Sequence, residues 1–394
     1  MTTMTLGTTA PSAHRPRLIS RALLLRFVSI VACSVSFFLP LAVVPVLAEG
    51  SSPVAGGLAN GALLGATVAG ELASPWLMRR LGARAVLAAG LVLLGAPTFL
   101  LLTSTSVQSF VGIGVLRGLG FALAIVAGGA VTAALVPAER RGEGLAIAGL
   151  VSAVPSLAAL PLGMAITSAT GPATVFIIAG AAPLLAVASV VGLPGRVQRA
   201  GRPVADSRAS GIVAGLRSPG LLRPAIVFAA SAAVAGAVVT CLPGALAGGA
   251  VSLAPAVLLL PPATAAGGRW VAGRYGDRVG HRRLFVPGIL LSAAGTAAMA
   301  ATADATLVLI GAALFGVGFG ALQNATISAM YERADDAQYG TVSALWNAGY
   351  DGGMAVGALG ISTLGALIGD APAFLALALA LPLVLILVRR APAA

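Results

Sequence analysis

The chain has 394 residues, of which 58% are hydrophobic and only 9% charged, and its mean hydropathy is +0.99. A soluble domain carries about 25% charged residues, so a water-soluble globular enzyme is excluded; at about 20 apolar residues per crossing the length holds roughly a dozen membrane spans. The formal charge is +12 and all 24 basic residues are Arg, and the missing Lys excludes both a P-loop and a Schiff base.

Residues 1–20 are polar and read as a cytoplasmic tail. The apolar run 22–48 is longer than a signal-peptide core of about 7–15 residues, so it reads as the first span. Runs at 53–78, 85–104, 108–136, 143–169 and 173–194 complete a six-helix bundle over residues 21–194. The stretch 195–220, with Arg196, Arg199, Arg202, Arg208 and Arg217, reads as a basic linker. Runs at 221–247, 249–272, 284–303, 305–331, 340–368 and 371–388 make a second bundle over residues 221–390. The expected fold is an all-α membrane protein with twelve transmembrane helices in two six-helix bundles.

Arginine sets the topology. Alternate loops hold Arg79, Arg80, Arg84, Arg140, Arg141, Arg274, Arg278, Arg282, Arg283, Arg333, Arg389 and Arg390, whereas the intervening loops hold Glu49, Asp304 and Asp370 and no Arg. Basic loops stay inside, so both termini are expected in the cytoplasm and the chain in the cell membrane, its basic excess reflecting topology and not nucleic acid. Cys33 and Cys241 fall in apolar runs and read as small core residues. His14 and His281 lie too far apart to begin a metal site, and no cofactor is expected.

The halves repeat. Gly82 and Gly280, Gly118-Leu119-Gly120-Phe121 and Gly316-Val317-Gly318-Phe319, and Gly142 and Gly340 are each 198 residues apart. Three anchors at one offset indicate an internal duplication, and two pseudo-symmetric six-helix halves point to a carrier working by alternating access.

Charges inside apolar runs are costly and mark candidate functional positions: Arg26, Glu71, Arg117 and Asp351. Glu71 lies about 10 Å in from the cytoplasmic end at 1.5 Å per residue; it reads as a proton-coupling residue or as the partner of Arg26, which is expected at similar depth. Asp351 falls near midplane beside Asn347, Gly352 and Gly353, for proton coupling or for helix packing. Gln323 and Asn324 are polar at membrane depth, lining the cavity or bonding a neighbouring helix.

The segment Gly273-Arg274-Tyr275-Gly276-Asp277-Arg278-Val279-Gly280-His281-Arg282-Arg283 resembles the signature loop of the major facilitator superfamily. Gly280 permits the turn, and Asp277 can pair with Arg278, Arg282 or a helix terminus to latch one conformation. The first-half copy keeps Gly82 and Arg84 but has Pro75 and Arg79 where the family has Gly and Asp. Leu116-Arg117-Gly118-Leu119-Gly120 resembles the embedded Arg-Gly motif of the superfamily's proton-linked drug exporters, which implies that Arg117 faces the cavity and serves proton transfer or substrate binding. Ala159-Leu160-Pro161-Leu162-Gly163 departs from the exporter pattern Gly-Pro-x-x-Gly-Gly.

The resemblance implies a cavity lined by spans one, four, seven and ten with parts of two, five, eight and eleven. A wall of Ala, Val, Leu and Gly suits a small apolar or amphipathic solute, uncharged or cationic. The expected function is export of such a solute by proton antiport, with metabolite import or facilitated passage as the alternative. The expected partners are that solute, protons and the bilayer, for a monomer that is not an enzyme.

Overall fold

The computed structural model describes residues 19–389 except 105, 138–139, 194–214, 247–250 and 335–337. The expected tail up to residue 18, Arg196, Arg199, Arg202 and Arg208 of the linker, and Arg390 lie outside the described residues. Among those described there are helices and no strand.

The first bundle comprises α1 (Arg21–Ala48), α2 (Ala55–Leu81), α3 (Ala83–Leu102), α4 (Val107–Leu135), α5 (Arg141–Thr170) and α6 (Pro172–Val191). The second comprises α7 (Pro219–Ala245), α8 (Ala254–Val279), α9 (Phe285–Met299), α10 (Ala305–Tyr331), α11 (Tyr339–Ile368) and α12 (Asp370–Ile386). Their starts are written in the sequence. Ser20 Oγ accepts the Leu23 N–H at 3.2 Å, and Asp304 Oδ1 accepts those of Thr306 and Leu307 at 2.9 and 3.1 Å; each cap satisfies donors that the first turn leaves unpaired. In α1 the regular helix pauses after Phe38, at Pro40, and resumes at Val43.

The duplication recurs in three dimensions. Gly82 (φ 83°) turns α2 into α3, and Gly280 (φ 90°) turns α8 into α9; Gly171 and Gly369, also 198 apart, both have φ 88°. A side chain in that left-handed region is strained, so these turns are fixed by glycine. A Cβ at Gly118 would strike the Leu63 carbonyl, and one at Gly316 the Pro261 carbonyl. Leu63 and Pro261 are themselves 198 apart. Thus α2 packs on α4 as α8 packs on α10, helix backbone against helix backbone.

The bundles meet along α2 with α11 and α5 with α8. These four are the least apolar of the long helices: α5 and α11 are the least apolar of the eight helices, among the described residues, long and apolar enough to cross a membrane, and α2 and α8, though as long, are not among those eight. Helices facing lipid must be apolar around their outer side, whereas helices in the seam face protein and can carry Asn60, Glu71 and Asp351.

Candidate functional site

Residues that join the bundles lie toward the arginine-poor end. The Asn60 amide on α2 donates to Leu41 O of its own bundle and to Thr240 Oγ1 on α7, both at 3.0 Å. A Cβ on Gly57 would lie 2.5 Å from Ser362 and 2.6 Å from the Ala358 carbonyl of α11, and one on Gly61 would meet Leu359. Glu49, after α1, packs on Gly244 of α7. Burial pushes the Glu49 carboxyl up to about 7, and the nearby Asp370 carboxylate adds to the effect. The arginine-poor end is closed.

Deeper in the seam, Glu71 on α2 and Asp351 on α11 are both half-buried and lie within electrostatic reach of each other. They come from opposite bundles. Arg26, the expected partner of Glu71, turns elsewhere: its Nε–H donates to Gly128 O and Thr132 Oγ1, both at 3.1 Å, and its Nη1 to Ser29 Oγ at 2.7 Å. Gly128 makes this possible, because a Cβ there would occupy the guanidinium's place. Arg26 therefore ties α1 to α4 inside one bundle.

Arg117 is 2% exposed and does not face an open cavity. Gly114 and Gly118 let α4 close on α2, and this burial holds the guanidinium so that Nη2 donates to Ser36 O on α1 at 2.7 Å. Asn324 lies against Gly273 of α8, its amide 3.5 Å from where a Cβ would stand, which makes it a helix-contact residue. Gln323 is half-buried and Asn347 is exposed.

The signature loop is built around an unexpected member. His281 Nδ1 is 2.6 Å from Glu332 Oε1 at the end of α10, and its Nε2 is 3.6 Å from Asp277 Oδ1. Asp277 thus faces His281 and not Arg278 or Arg282, while Gly276 leaves space for the imidazole. In the first half, Arg84 donates to the Val191 carbonyl after Gly82 turns the chain. Arg80 stacks over Trp76 at 4.8 Å and Arg274 over Trp270 at 5.0 Å, each Arg one helical turn after its Trp.

Sequence reasoning passed over an aromatic wall beside Asp351. Phe228 on α7 stacks on Trp346 at 4.2 Å and on Phe319 and Tyr350 at 5.8 Å. Trp346 and Tyr350 are one helical turn apart on α11, with Asp351 next to Tyr350; that spacing, followed by an acid inside an apolar run, was the available signal. The first bundle answers with Phe37 stacked on Phe121 at 3.7 Å.

A family model described as Major Facilitator Superfamily matches residues 26–358 and, in a second match, 245–393. Among solved structures, the nucleoside transporter NupG is similar at a TM-score of 0.76 and 12% identity, over 94% of this chain and 98% of that one. A bacterial homologue of the human lysosomal transporter Spinster, in an inward-facing and occupied conformation, is similar at 0.73 and 14%, over 93% of each chain. An auto-inhibited POT family peptide transporter is similar at 0.68 and 15%, over 95% of this chain and 98% of that one. At these identities the likeness is one of fold. No curated protein matches the chain.

Proposed function

The chain belongs to the Major Facilitator Superfamily, a multi-pass membrane transporter of small molecules and not an enzyme, and from that premise we propose a proton-coupled exporter of small apolar or amphipathic solutes. The observation that carries this reading is the Glu71–Asp351 pair, contributed by opposite bundles and half-buried in the seam. Like charges in a medium of low dielectric repel strongly. A proton on the pair therefore changes the attraction between the bundles, which is the link an antiporter requires between protonation and movement. The solute lies against Trp346 and Tyr350, whose flat faces take aromatic or lipophilic groups.

In this reading the arginine-rich end is cytoplasmic, the protein works as a monomer in the cell membrane, and the seam opens alternately to its two sides. The loop from Gly273 to Arg282, with Asp277, Arg278 and Gly280, latches the arginine-rich end; Gly82 and Arg84 support the equivalent turn. Arg26 and Arg117 hold α1, α2 and α4 as one moving body, and Gln323, Asn324 and Asn347 border the seam.

Solute uptake or facilitated passage is the second reading. It is favoured by the departure of residues 159–163 from the exporter pattern and by neighbours named as nucleoside and peptide transporters.

Everted vesicles with an imposed proton gradient test both readings. Hydrophobic cations and neutral drugs are expected to collapse the gradient through the native protein, and Asp351→Asn, inserted at normal levels, to lose at least about tenfold in rate, or about 1.4 kcal/mol in the barrier. Gradient collapse that persists undiminished in Asp351→Asn removes the pair from coupling. Solute accumulation in intact cells, in place of depletion, establishes the second reading.

A further inference from the structure

Three arginines of the second bundle converge where no carboxylate answers them. Arg223 lies on α7, one turn after Gly220; Arg282 belongs to the turn between α8 and α9; Arg333 follows α10. Two contacts draw them together. Arg333 lies along the first turn of α7, its Cδ 3.2 Å and its Nη1 3.9 Å from where a Cβ on Gly220 would stand. His281, 2.6 Å from Glu332, brings the next residue, Arg282, toward the residue after Glu332, Arg333. Arg333 and Arg223 are accordingly both within electrostatic reach of Arg282.

Like charges at close quarters repel, and the fold offsets little of this. Glu332 acts on Arg282 but is held by His281, and among the described residues none of the three arginines has an ion-pair partner. Other arginines at this end are engaged: Arg80 and Arg274 lie over Trp rings, Arg84 donates to the Val191 carbonyl, and Arg140 pairs with Glu143. Arg282 and Arg333 are exposed and Arg223 is half-buried, so an anion can approach all three from outside.

The position favours a lipid. The three stand at the ends of membrane-crossing helices, where headgroups lie, and basic groups between helix ends on the cytoplasmic side recognise anionic headgroups. The guanidinium fork matches phosphate oxygens bidentately. Leu216, four residues before Gly220, and Tyr339, packed on Tyr331 at the end of α10, are exposed apolar surfaces. Such surface suits an acyl chain and offers nothing to a soluble phosphate.

We propose that Arg223, Arg282 and Arg333 bind the phosphodiester headgroup of an anionic phospholipid in the leaflet at the arginine-rich end. One headgroup there joins α7, the α8–α9 turn and α10, and so fastens this end of the second bundle. The site makes no use of the Glu71–Asp351 pair and stands whatever the direction of transport.

The test titrates the purified full-length protein, in a neutral detergent, with phosphatidylglycerol, phosphatidylcholine or inorganic phosphate and follows the thermal unfolding midpoint. Phosphatidylglycerol is expected to raise the midpoint saturably, and the other two, at the same concentrations, to leave it unmoved. Arg282→Gln and Arg333→Gln should each weaken the apparent affinity about fivefold. Arg80→Gln, which removes the same charge from the same end, keeps the native affinity. Gly220→Glu sets a carboxylate against Arg333; it is expected to raise the midpoint without lipid and to blunt the phosphatidylglycerol response. An equal shift with phosphatidylcholine or with inorganic phosphate overturns the site, as does native affinity in Arg282→Gln and Arg333→Gln. An Arg80→Gln protein weakened as much as these two overturns it also, since binding then follows surface charge alone.

Discussion

Glu49, with the neighbouring Asp370, whose carboxyl is also pushed up by burial, is expected to couple pH to the closed end. Its ordinary value is 4.5, and in the closed arrangement it rises to about 7 through burial and the neighbouring Asp370. Below about 4.5 the carboxyl is protonated in every state and favours none. Between 4.5 and 7 only the closed state retains the proton, so its advantage shrinks as pH climbs, and above 7 the charge opposes closure. Rising pH is therefore expected to open the arginine-poor end, read as a longer distance between spin labels on the ends of α1 and α7 from pH 5 to 8.5. Glu49→Gln should flatten that profile. The sequence marked Glu49 only as a loop acid, because the contact that buries it, Gly244, lies 195 residues away. Arg26 shows the same limit: Glu71 was one expected partner, whereas its guanidinium bonds Thr132 and the Gly128 carbonyl, which advertise nothing in a run of small residues.

At the scale of helices, the contacts that repeat at the 198-residue offset carry the packing. Gly118→Val and Gly316→Val each force a side chain into a backbone carbonyl. Overpacking of this kind costs about 1–3 kcal/mol, so both variants are expected to lower the unfolding midpoint by similar amounts. Gly352→Ala, with nothing within 4 Å of its Cβ, should be silent. Helix number, order and duplication were legible because apolar length and glycine spacing are local signals. The division between lipid-facing and seam helices was legible only faintly, in the lower hydropathy of α2, α5, α8 and α11. Asp277 was expected to pair with Arg278, Arg282 or a helix terminus, and its contact with His281 was not foreseen, because His281's other partner, Glu332, sits at the end of another helix.

For the molecule as a whole, closure of one end depends on small residues and one amide crossing between bundles. The Asn60–Thr240 bond is an interhelical hydrogen bond in a membrane, a class averaging about 0.6 kcal/mol. Asn60→Ala should shift the closed-to-open ratio by about threefold, measured by the same spin-label distances, and Thr240→Val should do the same. A shift far larger than this would mean that Asn60 holds more than its one partner across the seam. The fold class was open to sequence reasoning because composition alone demanded a bilayer. The closed end was not, since pairing between residues 60 and 240 depends on how two bundles dock.

The placement of the three Trp residues has an optical consequence. Trp76 and Trp270 are 48% and 63% exposed at the arginine-rich end, each beneath an Arg, while Trp346 is stacked in the interior against Phe228. The unlabelled protein thus contains two peripheral fluorophores and one sheltered one. A collisional quencher dissolved in the buffer reaches the first two and spares the third, and a lipophilic solute docking beside Tyr350 perturbs the emission of the third alone. Peripheral and central events can therefore be followed in real time by colour, with no probe attached.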